Sequence, residues 1–214
     1  MDFVSISLNL LQGFLVTLKI FFLTLTLAVP LGIILAICSL SKFKPLKMFV
    51  KFLILIMRGT PLMLQVIAVY YCPTLLFSWG LMPRMVAVLV AFIINYACYF
   101  AEIFRGGIES IPKGQYEAGV VLGLTKTQIF FKIELLQIIK RIIPSMSNEV
   151  ISLVKDTSIA RVIVVAEILK VAGDYTAKGL IWPLFYTGVF YLVFIGVLTV
   201  VFGLIEKKLN YFKV

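Results

Sequence analysis

Three polar side chains share one face of an otherwise apolar segment. Asn95, Tyr99 and Glu102 follow one another at spacings of four and three, which places them in one line along an α-helix. A carboxylate in apolar surroundings is costly unless it faces an interior and has a partner. Glu102 is therefore a candidate for holding an ammonium group. The alternatives are a structural ion pair with Arg105 or Lys155, and a hydrated position near a membrane edge.

A second chemical signal is a break in the preceding apolar segment, at Arg58-Gly59-Thr60-Pro61. Thr60 could cap a new helix that has Pro61 at its first position. Discontinuous membrane helices expose backbone N–H groups that can bind an anionic group such as a carboxylate. The alternative is that the break marks only the interfacial end of a span, with Arg58 on phospholipid headgroups.

Residues for catalysis or metal binding are scarce. The chain contains no His, which is the commonest general base and metal ligand. Cys38, Cys72 and Cys98 lie in apolar stretches without C-x-x-C spacing, and we interpret them as small core residues. No nucleophile has a base beside it, and no G-x-x-x-x-G-K-[ST] phosphate-binding loop occurs. We expect no enzyme, no bound metal and no ATP hydrolysis by this chain itself.

The elements that must position these groups are membrane helices. Hydrophobic residues make up 62% of the 214, far above the roughly 45–50% of soluble domains, and a span needs about 20 predominantly apolar residues. We predict an all-α integral membrane protein with a single domain over residues 1–214 and about five spans. A cleavable signal peptide is not expected, because the N-terminus through Leu11 lacks a basic segment. The predicted spans are approximately 12–40, 52–79, 83–104, 142–169 and 181–205.

The fourth span is exceptional because charged residues interrupt it, and lipid would not tolerate them facing outward. It should therefore line an interior. Lys155 and Asp156 within it could form a gate or neutralise each other. The interrupting residues are Glu149, Lys155, Asp156, Arg161 and Glu167.

The basic residues are distributed unevenly between the two sides of the membrane. The net charge of +10 is compatible with nucleic-acid binding or with the basic loops of a membrane protein. Thirteen Lys and Arg residues fall in the segments after spans one, three and five, and only Arg84, Lys170 and Lys178 fall in the others. The positive-inside rule then predicts an outside N-terminus and a cytoplasmic C-terminus, with no role for nucleic acid. The thirteen are Lys42, Lys44, Lys47, Lys51, Arg105, Lys113, Lys126, Lys132, Lys140, Arg141, Lys207, Lys208 and Lys213.

The cytoplasmic segment of about residues 110–141 reads as a helical hairpin. Its first helix spans about 115–122 and is interrupted by Gly123. Thr125 followed by Gln128 has the form of a capping box, so a second helix should begin there and present Ile129, Phe130 and Ile133 together. Such a hairpin suits the membrane surface or a partner protein.

The residue order of this hairpin resembles the "EAA" loop of permease subunits of ATP-binding-cassette importers. The resemblance lies in Glu117-Ala118-Gly119, Gly123 and Ile133-x-Leu135. It implies that this segment forms the coupling helix that docks into a cleft of the ATPase, with Gln115, Glu117, Ala118, Gly119 and Gly123 as the coupling residues. Gly119 replaces the usual second alanine, a sterically mild change. Leu136 stands where a proline commonly ends the pattern, so the path out of the hairpin is left open.

Further motifs along the chain resemble the polar amino acid permeases of that superfamily, in the order and spacing of the family. The resemblance implies a type I importer fold in the bacterial cytoplasmic membrane. It also implies separate ATPase subunits that carry ATP and Mg²⁺, an extracytoplasmic amino-acid-binding protein and a second permease subunit, for which we favour a homodimer. The motifs are 58–62 with Gln65, 101–107, 112–115, Asn148-Glu149, and Lys155-Asp156-Thr157-Ser158.

The substrate residues follow from combining the polar positions with this resemblance. Glu102 would bind the α-ammonium common to all amino acids, and side-chain choice would fall to Asn95, Gln65 and Tyr99, with Asp156 and Ser158 also on the pathway. The acidic groups favour basic amino acids, while glutamine or another polar amino acid stays open. The alternative from another class is a stand-alone ion- or proton-coupled carrier that uses the same acids as a relay.

Overall fold

The computed structural model describes residues 2–209, and no β-strand occurs among them. A π-helical turn over Phe130–Glu134 joins α6 to α7, and a 3₁₀-helix over Thr157–Ile163 follows α7. Lys213, which contributed to the predicted orientation, lies outside the described residues. The helices are α1 (Phe3–Ser39), α2 (Lys44–Gly59), α3 (Leu62–Phe77), α4 (Arg84–Glu109), α5 (Lys113–Val121), α6 (Lys126–Ile129), α7 (Leu135–Asp156), α8 (Ile168–Thr176) and α9 (Trp182–Leu209).

Within the described residues, three helices are long and apolar enough to cross a membrane, namely α1, α4 and α9. A fourth span results if α2 and α3 are counted together, although they are bent by 107° at their junction. The fourth predicted segment, α7, does not qualify by composition because it carries Lys140, Arg141, Glu149, Lys155 and Asp156. The prediction of an all-helical membrane protein is therefore confirmed. The predicted number of about five spans is one more than the four that helix length and apolarity support among the described residues.

The structure redefines three of the predicted segments. The first helix begins at Phe3, before the predicted span that starts near residue 12, because the preceding residues continue the same helix. The second predicted span consists of two helices that meet at the predicted break, residues 58–61. The fourth ends as an α-helix at Asp156, and its remainder forms the 3₁₀-helix and α8.

The charges of the fourth segment differ in burial. Glu167 is fully buried and accepts hydrogen bonds from the backbone N–H groups of Leu169 at 2.8 Å and Lys170 at 2.7 Å, so it caps α8. Lys155 and Arg161, in contrast, are exposed in the single chain. That these two basic side chains face the interior of an assembled pathway stays a prediction.

Small residues allow α1 and α4 to approach closely. A Cβ atom at Gly32 would lie 2.8 Å from Cβ of Phe100 and 3.0 Å from the carbonyl oxygen of Ala97, closer than real side chains allow. Small residues at helix contacts are typical of membrane proteins. In lipid no hydrophobic driving force acts between helices, so close packing of their backbones stabilises the contact instead. Cys98 lies in this core, but Cys72 is exposed on α3, so the interpretation of Cys72 as a core residue is wrong.

Candidate functional site

A pair of amide side chains clamps the break between α2 and α3. Gln65 donates from Nε2 to the carbonyl oxygen of Met57 at 2.9 Å and to Oγ1 of Thr60 at 2.9 Å. Asn95 donates from Nδ2 to the same carbonyl oxygen at 3.1 Å and to Oε1 of Gln65 at 3.0 Å. The carbonyl of Met57 belongs to the last turn of α2, where helices lack internal partners. The clamp therefore satisfies a helix end and fixes the 107° bend.

The predicted cap at this break is wrong. Thr60 ends α2 rather than starting α3, and its hydroxyl donates to the carbonyl oxygen of Ile56 at 2.9 Å. Pro61 occupies the N-cap position of α3, which has no side-chain cap. The first N–H groups of α3 therefore have no side-chain acceptor. This leaves them able to donate hydrogen bonds to an anionic group.

Glu102 is the centre of a charge network in the C-terminal part of α4. Arg105 donates to its carboxylate twice, from Nε at 3.0 Å and from Nη2 at 2.6 Å. Nη1 of Arg58 lies 3.5 Å from Oε2 of Glu102, and its guanidinium carbon lies 5.2 Å from the centre of the Tyr99 ring. Arg105 also pairs with Glu109. Of the alternatives drawn from the sequence, the ion pair with Arg105 is present, and Arg58 adds a second cation.

Three adjoining clefts run past Arg58 and Tyr99, with volumes of about 470, 580 and 610 Å³. The first lies between α2 and Glu102, and the second reaches Arg141 and Ser145 on α7. The third, called the break cavity below, is formed by the α2–α3 junction, α4 and α7. Its walls include residues 58–62, Asn95, Tyr96, Tyr99, Glu149, Ser152, Asp156 and Ile159.

The α7 wall of the break cavity carries two carboxylates. Glu149 and Asp156 are seven residues apart, so they share one face of α7. The hydroxyl of Tyr96 donates to Oδ2 of Asp156 at 2.7 Å. Within residues 2–209, no basic side chain forms an ion pair with either carboxylate. Lys155 does not pair with Asp156, which leaves a gate or a substrate contact as the open roles for this acid.

The structure brings together most of the residues that the sequence proposed for the pathway. Asn95, Tyr99 and Asp156 line the break cavity, and Gln65 lies behind it in the clamp. Ser158 does not line the cavity, and its hydroxyl donates to the carbonyl oxygen of Lys155 at 2.8 Å. The predicted substrate contacts of all these residues stay predictions, and the geometry favours a positioning role for Asn95 and Gln65 because their N–H groups are engaged.

Tyr96 and Glu149 line the cavity but were not proposed as pathway residues from the sequence. Tyr96 directly follows Asn95 and lies one turn from Tyr99, so a wider reading of the polar stripe would have included it. Glu149 was noted only as a charge that interrupts the fourth segment. Its spacing of seven residues from Asp156 could have indicated that both carboxylates lie on one face of a helix.

The hairpin of α5 and α6 has the capping box that its sequence predicts. Oγ1 of Thr125 accepts from the N–H of Gln128 at 3.3 Å, and Oε1 of Gln128 accepts from the N–H of Thr125 at 2.9 Å. Gly123 has φ of +76° and ends the turn after α5, where glycine is favoured. Gln115 on α5 and Gln137 on α7 exchange two side-chain hydrogen bonds of 3.1 and 2.5 Å. These bonds tie the hairpin to the helix that carries the acidic wall.

Gly119 is required by the packing of the hairpin, so the expectation that its replacement of alanine is sterically mild is wrong. A Cβ atom at Gly119 would lie 2.7 Å from Cγ1 and 3.0 Å from Cδ1 of Ile129. Ile129 is fully buried, so it packs inward instead of being presented with Phe130. The exposed surface of the hairpin includes Glu117, Ala118, Val120, Val121, Leu122 and Phe131.

Comparison with known proteins gives a family match over most of the chain. The model of a family described as "binding-protein-dependent transport system inner membrane component" matches residues 28–211. The match contains the break, the acidic wall and the hairpin.

Individual relatives agree with this match. The arginine transport system permease protein ArtQ of Bacillus subtilis (strain 168) is 35% identical over 203 residues, covering 94% of this chain and 92% of that protein. A putative glutamine transport system permease protein GlnP of Rickettsia felis is 30% identical over 204 residues, covering 94% and 93%. A crystal structure of an amino acid ABC transporter with histidines is 30% identical, with a TM-score of 0.87 and coverage of 97% and 99%.

Proposed function

We propose that this chain, which belongs to the family of binding-protein-dependent transport system inner membrane components, carries basic amino acids. It is a multi-pass inner membrane permease of an amino acid importer of the ATP-binding-cassette class, with the type I importer fold. It is the non-catalytic transmembrane subunit of that importer and works in a complex with ATPase subunits.

The single observation behind the basic substrate is that two carboxylates in the break cavity form no ion pair. Glu149 and Asp156 line this cavity and lack a basic partner within the described chain. Carboxylates inside a membrane protein are expensive and normally pair with a cation. A cationic side chain of the substrate would supply that partner. Glu102 is a weaker candidate because Arg58 and Arg105 already neutralise it.

The opposite wall of the break cavity suits the other end of an amino acid. Arg58 and the start of α3 supply a guanidinium and backbone N–H groups, both of which favour a carboxylate. The cavity of about 610 Å³ is within the roughly 300–1,000 Å³ typical of small-molecule sites. The substrate would therefore lie with its α-carboxylate towards Arg58 and its cationic side chain towards Asp156. By their names, one relative transports arginine, and a similar transporter was crystallised with histidines.

The remaining parts of the importer follow from the same assignment. The exposed surface around Glu117 would dock on the ATPase, which would hold ATP and Mg²⁺. Closure of two ATPases would then move α5, and the Gln115–Gln137 bonds would pass that movement to α7. An extracytoplasmic amino-acid-binding protein would deliver substrate to the side of the N-terminus. A second copy of this chain would complete the pathway, because the clefts are open along one side of a single chain.

The test compares arginine and glutamine uptake by Asp156→Asn in proteoliposomes that contain the permease, its ATPase and its binding protein. Asparagine keeps an oxygen that can accept from Tyr96, so only the charge is lost. Removing a hydrogen-bond partner of a charged group costs about 1.5–3 kcal/mol, so kcat/KM for arginine should fall roughly ten- to hundredfold. Glutamine uptake should change little, since its amide has no charge.

Two comparisons make this test decisive. Glu206→Gln removes a carboxylate near the end of α9, away from the break cavity, and should leave both substrates unaffected. Arg58→Gln should lower uptake of both equally, because the α-carboxylate is common to them. A wild-type preference for glutamine, or an equal fall of both substrates in Asp156→Asn, would contradict the basic specificity.

A further inference from the structure

Helix α2 has three distinct faces. At 100° per residue, its buried face contains Val50, Leu53, Ile54 and Met57, which pack against Ala36, Cys98 and Ala101 of α1 and α4. Lys44, Lys47, Lys51 and Arg58 fall within an arc of about 60° beside it. The remaining face is apolar and exposed, and consists of Met48, Phe49, Phe52, Leu55 and Ile56, with exposed fractions of 42% to 74%. We call the three lysines and this apolar face together the α2 surface.

The direction of α2 relative to α3 suits a helix that lies along the membrane interface. The bend of 107° makes α2 run nearly across the direction of α3. A helix with a basic stripe beside a large apolar stripe is the pattern of helices that lie in the headgroup region, with the apolar face in the acyl chains. Lys44, Lys47, Met48, Lys51, Phe52 and Leu55 frame a shallow cleft of about 470 Å³ where the two stripes meet.

The α2 surface carries more positive charge than the neighbouring part of the chain pairs. Residues 40–59 contain no Asp or Glu. Within residues 2–209, none of Lys44, Lys47 and Lys51 forms an ion pair. Phosphate groups of anionic lipids carry the complementary charge, and each lysine near such a surface contributes a favourable attraction. The adjoining apolar face requires an occupant that also has hydrocarbon chains.

We propose that the α2 surface is a binding site for an anionic phospholipid of the cytoplasmic leaflet. The phosphodiester lies against Lys44, Lys47 and Lys51, and the acyl chains cover Met48, Phe52 and Leu55. The bound lipid holds in place the helix whose last turn carries Arg58 and leads to the clamp of Gln65 and Asn95. This site is independent of the identity of the transported amino acid.

The test is lipid retention by the purified complex of this chain with its ATPase, measured by native mass spectrometry in mixtures of phosphatidylglycerol and phosphatidylcholine. The wild-type complex should retain phosphatidylglycerol preferentially. Lys44→Gln with Lys47→Gln should reduce that preference roughly 30-fold at low salt, the factor for two lysines near an anionic surface. The matched variant Lys207→Gln with Lys208→Gln, which removes two charges from the last turn of α9, should keep it.

Three outcomes would overturn the proposal. An unchanged preference in the Lys44 and Lys47 variant would show that these lysines do not bind the headgroup. Displacement of the lipid by millimolar inorganic phosphate would show a site for a soluble anion. Disulfide cross-linking between two copies that carry Met48→Cys would show that a second copy covers this face.

Discussion

The contact between Gly119 and Ile129 allows a quantitative test of the hairpin. An added Cβ at position 119 would be 2.7 Å from Cγ1 of Ile129, so Gly119→Ala should cost about 1–3 kcal/mol through overpacking. Alanine also has a helix propensity about 1 kcal/mol better than glycine. The net effect should therefore be a destabilisation of the hairpin by about 0–2 kcal/mol.

Removing the clashing atoms should reverse the sign of this effect. Ile129→Ala deletes both Cγ1 and Cδ1, so in that background Gly119→Ala should stabilise α5 by up to about 1 kcal/mol. The difference between the two backgrounds is a coupling energy of about 1–3 kcal/mol. Gly114→Ala is the matched control, since a Cβ there meets nothing within 4 Å, and it should act alike in both backgrounds.

Hydrogen exchange of the α5 amides in the assembled importer measures this coupling, because local opening sets the exchange rate. A change of about 1.4 kcal/mol corresponds to a tenfold change in rate. Gly119→Ala should speed exchange in the wild-type background and slow it in the Ile129→Ala background. The same direction and size of effect in both backgrounds would refute the packing argument.

Three further predictions concern the clamp, the docking surface and the charge network. Asn95→Ala removes one hydrogen bond each from the carbonyl of Met57 and the amide of Gln65, so the free energy of unfolding should fall by about 1–3 kcal/mol. The midpoint of thermal unfolding of the complex should therefore be lower, and an unchanged midpoint would contradict the clamp. Glu117→Arg reverses an exposed charge on α5 and should abolish co-purification of the ATPase, while Glu206→Arg should not; equal retention of the ATPase would contradict docking at this surface. Glu102→Gln should lower arginine uptake less than Asp156→Asn, because its carboxylate is already paired; a larger loss at Glu102 would reverse their assigned roles.

Local features of the fold followed from the sequence because local chemistry decides them. The capping box at Thr125 and Gln128 and the glycine turn at Gly123 depend on neighbouring residues alone. The position of the break before Pro61 was also predictable, since proline disrupts a continuing helix. The angle of that break was not, because it depends on the distant Asn95.

The site was only partly predictable, because pairing of charges is a property of the folded chain. Periodicity placed Asn95, Tyr99 and Glu102 on one face, yet it did not show that Arg58 reaches Glu102 from another helix. The same limit applied to Glu149 and Asp156, because the sequence does not show that they line one cavity without forming an ion pair. Packing has the same limit. The helical spacing of Ile129, Phe130 and Ile133 predicted that Ile129 would be exposed, but Ile129 is buried in the space left by the missing Cβ of Gly119.

The central claim is tested most directly by ATP-driven uptake of labelled arginine, lysine, histidine and glutamine into liposomes that contain this chain, its ATPase and its binding protein. We predict uptake that requires ATP and both partners, with arginine and lysine preferred over glutamine. Uptake by this chain alone, driven by an ion gradient and indifferent to ATP, would contradict the account.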